Sequence, residues 1–380
     1  MTPPPPRSPE ELLAQMVAFE TVNPEFGGPA GGETRLATYL EGLAASWGLG
    51  TRRYPVDGDR FNLLVACEAG AGDEWLLFES HLDTVGIEGM SVAPFELTPR
   101  GSRLHARGAC DTKGSGAAML WALKDYAASG PRPRRAGVLF TVDEEARMTG
   151  AQAFAARALG DFPKLRGIVV GEPTRLRPVV AHNGAFRWRS TTRGVAAHSS
   201  DPTKGRSAIA AMLRVIAALE TRFIPLARRE FPLTGRAAAS INVIRGGSAV
   251  NIIPDSCEIL CERRLVPGED IAQIITERDA ALAGLAVEHD QEYLAPPLPP
   301  DRSSALHDWM RPAFAAVGLD AAPAGASYAT NASNYAGAGA PVLVLGPGDI
   351  AQAHTKDEWL DRTALAAAVA LYGALLRLPA

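Results

Sequence analysis

Cysteine is scarce in this chain. Four residues, Cys67, Cys110, Cys257 and Cys261, stand in 380, too few and too irregularly spaced for a disulfide framework, which points to a reducing compartment. No apolar run approaches the length needed to span a bilayer, and the start MTPPPPRSPEELLAQ places prolines where a signal peptide has its apolar core. The expectation is therefore a soluble, cytoplasmic protein with no membrane partner. Basic charge is not in excess either: Lys+Arg number 38 against 42 Asp+Glu, a formal net charge of -4, and no basic run is interleaved with aromatics. That excludes the electrostatic footprint of a nucleic-acid binder. What the chain does have is 47% apolar residues, enough for a folded core, and length enough for two domains.

Ser8 followed by Pro9, Glu10 and Glu11 predicts a helix N-cap with proline in the first turn. Residues 34–49 carry Leu36, Leu40, Leu43 and Trp47 at helical spacing. Short apolar runs at 62–67, 74–79, 137–142 and 168–171 predict buried strands, with a helix at 114–128 between two of them; a strand at 341–345 and a helix at 363–378 follow near the other end. Such alternation predicts an α/β layer architecture around a largely parallel sheet. Residues 179–294 break this rhythm. There a strand (184–193), a helix (207–219), two strands (240–245 and 256–265), a helix (270–283) and a strand (286–293) give the order β-α-β-β-α-β. The expected organisation is a discontinuous domain, 1–178 with 295–380, and an inserted domain, 179–294, with the proline-rich 296–300 as the return linker.

Acids and histidines gather just after the predicted strands. His81 and Asp83 follow the run ending at Ser80; Asp143, Glu144 and Glu145 follow Val142; Glu172 follows Gly171. Ligands of open α/β sheets bind beyond the carboxyl ends of the strands. Asp111, before the 114–128 helix, and His354, in a glycine- and proline-rich loop, add to the set. A single acid at such a place commonly caps a helix, but capping does not account for adjacent glutamates at the end of a buried strand. Several acids in one crevice repel each other unless a cation neutralises them, and a pair of Zn²⁺ ions accepts this mix of imidazole and carboxylate.

The segments His81-Leu82-Asp83-Thr84-Val85, Gly108 to Gly114 with Asp111, Asp143-Glu144-Glu145, Gly171-Glu172-Pro173-Thr174 and the surroundings of His354 resemble, in order, the motifs of the dinuclear zinc M20 metallopeptidases. The resemblance runs from about residue 10 onward. It implies a three-layer, zinc-peptidase-like α/β domain with a mixed, mostly parallel sheet, and an inserted α+β, ferredoxin-like domain serving as lid and dimerisation element. It further implies two Zn²⁺ per subunit, for which Co²⁺ can substitute. Asp111 would bridge the metals, His81 and Glu172 would complete one shell, and Glu145 and His354 the other. Asp83 would orient His81 through its far nitrogen. Glu144 would be the general base of metal-assisted amide hydrolysis, and His198 the added donor to the oxyanion, often supplied in this family by the partner subunit of a homodimer. Asn251 and Arg264 match positions that hold a substrate carboxylate, a task suited to arginine's planar fork.

Within the family, GEPTRLRPVVAHNG, AAHSSDPTKGRSAI and VLVLGPGDIAQAHTKDEWL are most similar to the acetylornithine deacetylase branch. The implied reaction is release of acetate from N-acetylornithine, in arginine biosynthesis. A desuccinylase of acyl-diaminopimelate, another N-acyl amino acid deacylase such as one acting on acetylcitrulline, a dipeptidase or carboxypeptidase, and a non-catalytic binding protein on the same fold are the alternatives. Three departures bear on the substrate. Thr330-Asn331-Ala332 stands where Thr-Glu-Ala is common, removing a charge that could meet an ammonium, with Thr330 and Asn331 expected near substrate. Asn183 replaces a common lysine, and Glu262-Arg263-Arg264 replaces Asp-Ile-Arg.

Overall fold

The computed structural model describes residues 3–379. The chain forms two compact units. One comprises the described residues up to Val180 together with Pro300–Ala324 and those from Thr330 onward; the other comprises Ala181–Pro299 and Gly325–Ala329. Residues 325–329, which the sequence places with the outer halves, cluster with the second unit. Gly325 lies so close to Leu233 that a Cβ would collide with its carbonyl oxygen, and the Asn183 backbone amide donates to the Ala326 carbonyl at 3.0 Å.

The first unit is a three-layer α/β sandwich on an eight-stranded mixed sheet. In spatial order the strands are Gly50–Asp57, Arg60–Cys67, Arg135–Thr141, Trp75–His81, Leu165–Val170, Val342–Val344, Val179–His182 and Ala324–Ala326. The four central strands run parallel, with His81 level with Thr141, Glu79 level with Val170, and Val344 level with Val170. Their carboxyl ends consequently open along one edge. These strands are buried on both faces, which is why they read as continuous apolar runs. Alternate residues divide between faces. Leu76 and Phe78 join the core under helices Pro9–Val17, Gly32–Ser46, Lys113–Ala128 and Arg362–Leu376. On the opposite face Phe154 of helix Thr149–Arg157 and Tyr335 of helix Ala332–Gly337 meet edge to face at 6.2 Å.

Local sequence sets the helix ends. Ser8 Oγ accepts from the Glu11 amide at 3.1 Å with Pro9 in the first turn, and Asp361 Oδ1 accepts from the Thr363 amide at 2.8 Å. Ser207 and Asp270 do the same for helices Ala208–Ala218 and Ile271–Ala281.

The second unit is built on an antiparallel sheet in the order Ala238–Gly246, Ser256–Leu265, Gly184–Arg193, Glu288–Ala295. With its two helices this is the β-α-β-β-α-β arrangement, the third strand inserted between the first and second. Cys257 and Cys261, four apart on one strand face, are buried thiols in its core with Trp188, Met212 and Phe223. Among the described residues no helix is long and apolar enough to cross a membrane.

His182 lies fully buried in the second unit, its Nδ1 2.8 Å from the Asn183 carbonyl, and burial pushes its pKa down from 6.5 to about 4. Between those values the unfolded chain takes up a proton that the folded one refuses, so stability falls as pH drops through this window. Each tenfold difference in proton affinity is worth roughly 1.4 kcal/mol, so the loss reaches about 3 kcal/mol by pH 4. His182→Gln should show a shallower fall in urea midpoint than the wild type between pH 6.5 and 4, with the two curves parallel above pH 7.

Candidate metal centre

Three strand ends and two loops supply the polar residues of the first unit's open edge. His81 ends strand Trp75–His81; Glu144 and Glu145 follow strand Arg135–Thr141; Glu172 follows Leu165–Val170. Asp111 sits just before helix Lys113–Ala128, and His354 belongs to the loop after Val342–Val344. The two carboxylate oxygens of Asp111 face different imidazoles: Oδ1 lies 3.1 Å from His81 Nε2, and Oδ2 lies 3.2 Å from His354 Nε2. His354 Nε2 is also 3.2 Å from Glu145. Ligand atoms of His81, Asp111 and Glu145 fall within 4.8 Å of one another, as do those of His81, Glu144 and Glu172. The structure thus gathers His81, Asp111, Glu144, Glu145, Glu172 and His354 into one crevice.

Asp83 is fully buried behind them. Its oxygens accept from the backbone amides of Glu144 at 3.0 Å and Glu145 at 3.1 Å, so one carboxylate fixes the turn carrying both glutamates. His81 Nδ1 stands 3.0 Å from the Asp83 carbonyl and 3.5 Å from its carboxylate. Asp143 and His354 both hold positive φ, 67° and 58°, a region that costs non-glycine residues energy and persists only where surrounding contacts over-determine it.

The charge balance of this crevice is unusual. Burial alone would push the His81 imidazolium down, yet Asp111 and Asp83, with Glu144 and Glu172 nearby, hold it well above its usual range. His354 rises to about 11 through Asp111 and Glu145, against the effect of its partial burial. Burial and neighbouring carboxylates push Glu144, Glu145 and Glu172 upward. Asp111 goes the other way: burial opposes its charge, but hydrogen bonds from His354 and His81 hold its carboxyl well below the usual range. Cations held among these carboxylates would offset their mutual repulsion. The spacing also suits a metal, since ligands about 2.0–2.1 Å from a tetrahedral zinc lie roughly 3.3 Å apart. The donor set fits a pair of borderline divalent ions.

Several residues of the centre had no signal in the sequence. Asn23 Nδ2 donates to Asp83 Oδ2 at 2.8 Å and to Asp143 Oδ1 at 3.0 Å. Glu33 accepts from the Asp143 amide at 2.7 Å and pairs with Arg60 at 3.0 Å; burial and Asp83 push its pKa up to about 8 despite Arg60. Lys113 is buried, its Nζ donating to the Phe19 carbonyl at 3.0 Å, and burial brings it down to about 7.

Thr330 and Asn331, expected near substrate, are fully buried in this structure. Asn331 Nδ2 donates to Glu79 Oε1 at 3.0 Å, and the Thr141 hydroxyl donates to the same oxygen. A carboxyl group thus stands one hydrogen bond from position 331, on the strand that ends in His81. Burial pushes Glu79 upward in pKa, opposed by its hydrogen bonds.

In the second unit, His198 is exposed on the short strand Ala197–His198, paired with Ile252–Ile253. The Ser200 amide donates to His198 Nδ1 at 3.2 Å, which leaves Nε2 to carry the proton of the neutral ring. Asn251 is close by, its carbonyl accepting from the Ser199 amide at 3.0 Å. Arg264 is not brought to this pair. It lies opposite Ala185, whereas His198 leaves from the Arg193 end of the same strand, eight residues and about 26 Å along the ladder. Its Nε contacts Glu262 at 2.7 Å. Asn183 is buried and donates through Nδ2 to the Thr234 carbonyl at 3.2 Å.

A sandwich with acids and imidazoles at the ends of its parallel strands is the architecture of a metallopeptidase-type hydrolase. Residues 77–378 match the model of Peptidase family M20/M25/M40, and the chain belongs to that family. An acetylornithine deacetylase of Edwardsiella ictaluri is 33% identical over 362 residues, 92% of each chain. Another from Myxococcus xanthus is 33% identical over 311 residues, 78% of each. Among solved structures, an M20 family metallo-carboxypeptidase from Sulfolobus solfataricus superposes with a TM-score of 0.81 at 16% identity, covering 98% of this chain and 99% of that one. A dinuclear metal binding M20 peptidase of Bacillus subtilis gives 0.67 at 15% identity, covering 98% of both. The protein is accordingly an M20 family hydrolase.

Asn23 is nearly inaccessible between two carboxylates, so Asn23→Asp would set a third acid against them. The variant should lose about 3 kcal/mol or more of stability, read as a lowered urea midpoint. A loss under about 1 kcal/mol would remove Asn23 from this network.

Proposed function

We propose that this protein is a two-zinc amidohydrolase that releases a short acyl group from the α-amino nitrogen of an amino acid, with N-acetylornithine its first substrate to test. The reading rests chiefly on Asp111, whose two oxygens address one imidazole each while Glu144 and Glu145 stand side by side. The identity to acetylornithine deacetylases over nearly the whole chain supports the choice of substrate.

His81, Asp111 and Glu172 would hold one ion and Asp111, Glu145 and His354 the other. Bound there, the ions would lower the pKa of a water molecule and polarise the scissile carbonyl. Glu144 takes the proton of the attacking water and returns it to the leaving amine. Glu145 is committed to a cation, which explains why two adjacent acids are needed. His198 donates through Nε2 to the developing oxyanion, and the substrate's carboxylate is taken by Arg264 of one copy and by Asn251 of the copy that supplies His198.

Two outcomes are expected on purified enzyme. Elemental analysis should find close to two zinc or cobalt equivalents, both lost in Asp111→Ala. Glu144→Gln should keep the metals but lose at least about 10²-fold in kcat on N-acyl amino acids. Unchanged turnover in Glu144→Gln would remove its role as base.

His198 and Arg264 lie too far apart on one copy to meet at one substrate through the sheet, which favours a homodimer. Its contact surface would lie on the second unit. Strand Ala238–Gly246 has an unpaired edge in the single copy, and Ile244 on it, with Ile209 and Leu213 of the neighbouring helix, is solvent-facing. Such an edge favours pairing with a second copy. Leu213→Glu should give a monomer by light scattering and reduce kcat while leaving metal content unchanged. A fully active monomer would sink the shared-site arrangement.

A further inference from the structure

Glu358 has no role in the chemistry above, yet it is the most fully engaged carboxylate near the centre. It is 1% exposed. Oε1 accepts from the backbone amides of Cys110 at 2.9 Å and Asp111 at 3.0 Å; Oε2 accepts from the Gly108 amide at 3.1 Å and from Arg107 Nη1 at 2.7 Å. Four donors meet the four lone-pair sites of one carboxylate. All four come from the loop that ends in Asp111.

That loop is confined from its other side as well. Arg107 Nε donates to the Gly86 carbonyl at 2.9 Å, just beyond the His81–Val85 segment. Gly108 has φ +80°, and a Cβ there would meet the Thr84 methyl at 2.9 Å. Glu358 itself is anchored. It follows His354 by four residues and directly precedes strand Trp359–Asp361, which pairs with Arg103–His105. The Ser91 amide holds the Lys356 carbonyl at 3.0 Å, and His105 Nδ1 lies 3.1 Å from the Asp357 carbonyl. One short segment therefore carries an imidazole facing Asp111 and, four residues on, the acceptor that grips the backbone of Asp111.

We propose that Glu358 is a positioning residue for the two-metal site, fixing the Asp111 carboxylate against His354 by clamping the 107–111 loop. The proposal rests on the two-metal reading above. It assigns unequal consequences to the two ions. The ion at Glu145 and His354 depends on Glu358 through both Asp111 and the His354 segment. The ion at His81 and Glu172 depends on it through Asp111 alone.

The test is titration of metal-free, full-length enzyme with zinc by calorimetry, and with cobalt by visible absorption, for the wild type, Glu358→Gln and Glu358→Asp. Glutamine keeps the shape but turns an amide toward donors that need an acceptor. Glu358→Gln is expected to weaken one equivalent more than the other, by roughly 10- to 100-fold, to alter the cobalt spectrum of that equivalent, and to leave the circular dichroism spectrum unchanged. Glu358→Asp should recover part of the affinity. Arg362→Ala, which breaks an exposed pair with Glu10 on the same stretch of chain, should titrate like the wild type. A wild type that takes up fewer than two ions defeats the two-metal reading, and this proposal with it. A two-ion wild type with an unchanged Glu358→Gln titration overturns this proposal alone. So does failure of both Glu358 variants to fold without metal, which would make the carboxylate a general structural element.

Discussion

Like charges crowded into a buried crevice repel, and this molecule is arranged around that repulsion. Asp83, Asp111, Glu144, Glu145 and Glu172 lie within one strand-end edge, each with little access to water. Water cannot screen them there, so the protein supplies dipoles and fixed cations. Asp83 is met by two backbone amides and by Asn23. Asp143 is met by Asn23 and by Arg60, 3.3 Å away. Glu358 is met by three amides and a guanidinium. Asp111 is met by imidazoles. What these groups leave uncompensated is concentrated on Glu144 and Glu172, while Glu145 shares the His354 imidazole with Asp111.

The parallel sheet is what makes this concentration possible. Four neighbouring strands run in one direction and end at one level, so residues separated by up to 273 positions, from His81 to His354, reach the same crevice. Two of the backbone turns that follow, at Asp143 and His354, are held in left-handed conformations. The sheet provides the crude placement, and the hydrogen-bonded layer behind it provides the fine one.

The divide between these two layers is also the divide in what the sequence discloses. His81, Glu144, Glu145 and Glu172 are legible because each closely follows an apolar run, and a run of that kind has a known direction in an α/β sheet. The central strands and the β-α-β-β-α-β insertion are legible for the same reason. Asn23, Glu33, Arg60 and Glu358 are not, because each works on a partner brought near only by the tertiary fold, 60 residues away for Asn23 and Asp83 and about 250 for Glu358 and its loop. Among the elements, strand Gly50–Asp57 hides because it is an exposed edge, and helix Ser304–Ala316 because Pro312 interrupts its pattern. Strand Ala324–Ala326 has only Ala-Gly-Ala to announce it. Asn331 shows a different failure. Read as a lost charge beside substrate, it is a buried amide serving Glu79, a partner that only the neighbouring strand reveals.

The place of the 354–358 segment in the chain has a consequence for biosynthesis. Glu172 leaves the ribosome 182 residues before His354, an interval on the order of ten to forty seconds at ordinary elongation rates of about 5–20 residues per second. During that interval the nascent crevice has its acids but lacks its second imidazole and the clamp on the Asp111 loop. The inserted unit, whose main segment is Ala181–Pro299, is synthesised entirely within it. The crevice thus reaches its finished form only after the main segment of the inserted unit has been made, and an ion captured earlier would be held by an incomplete set of ligands.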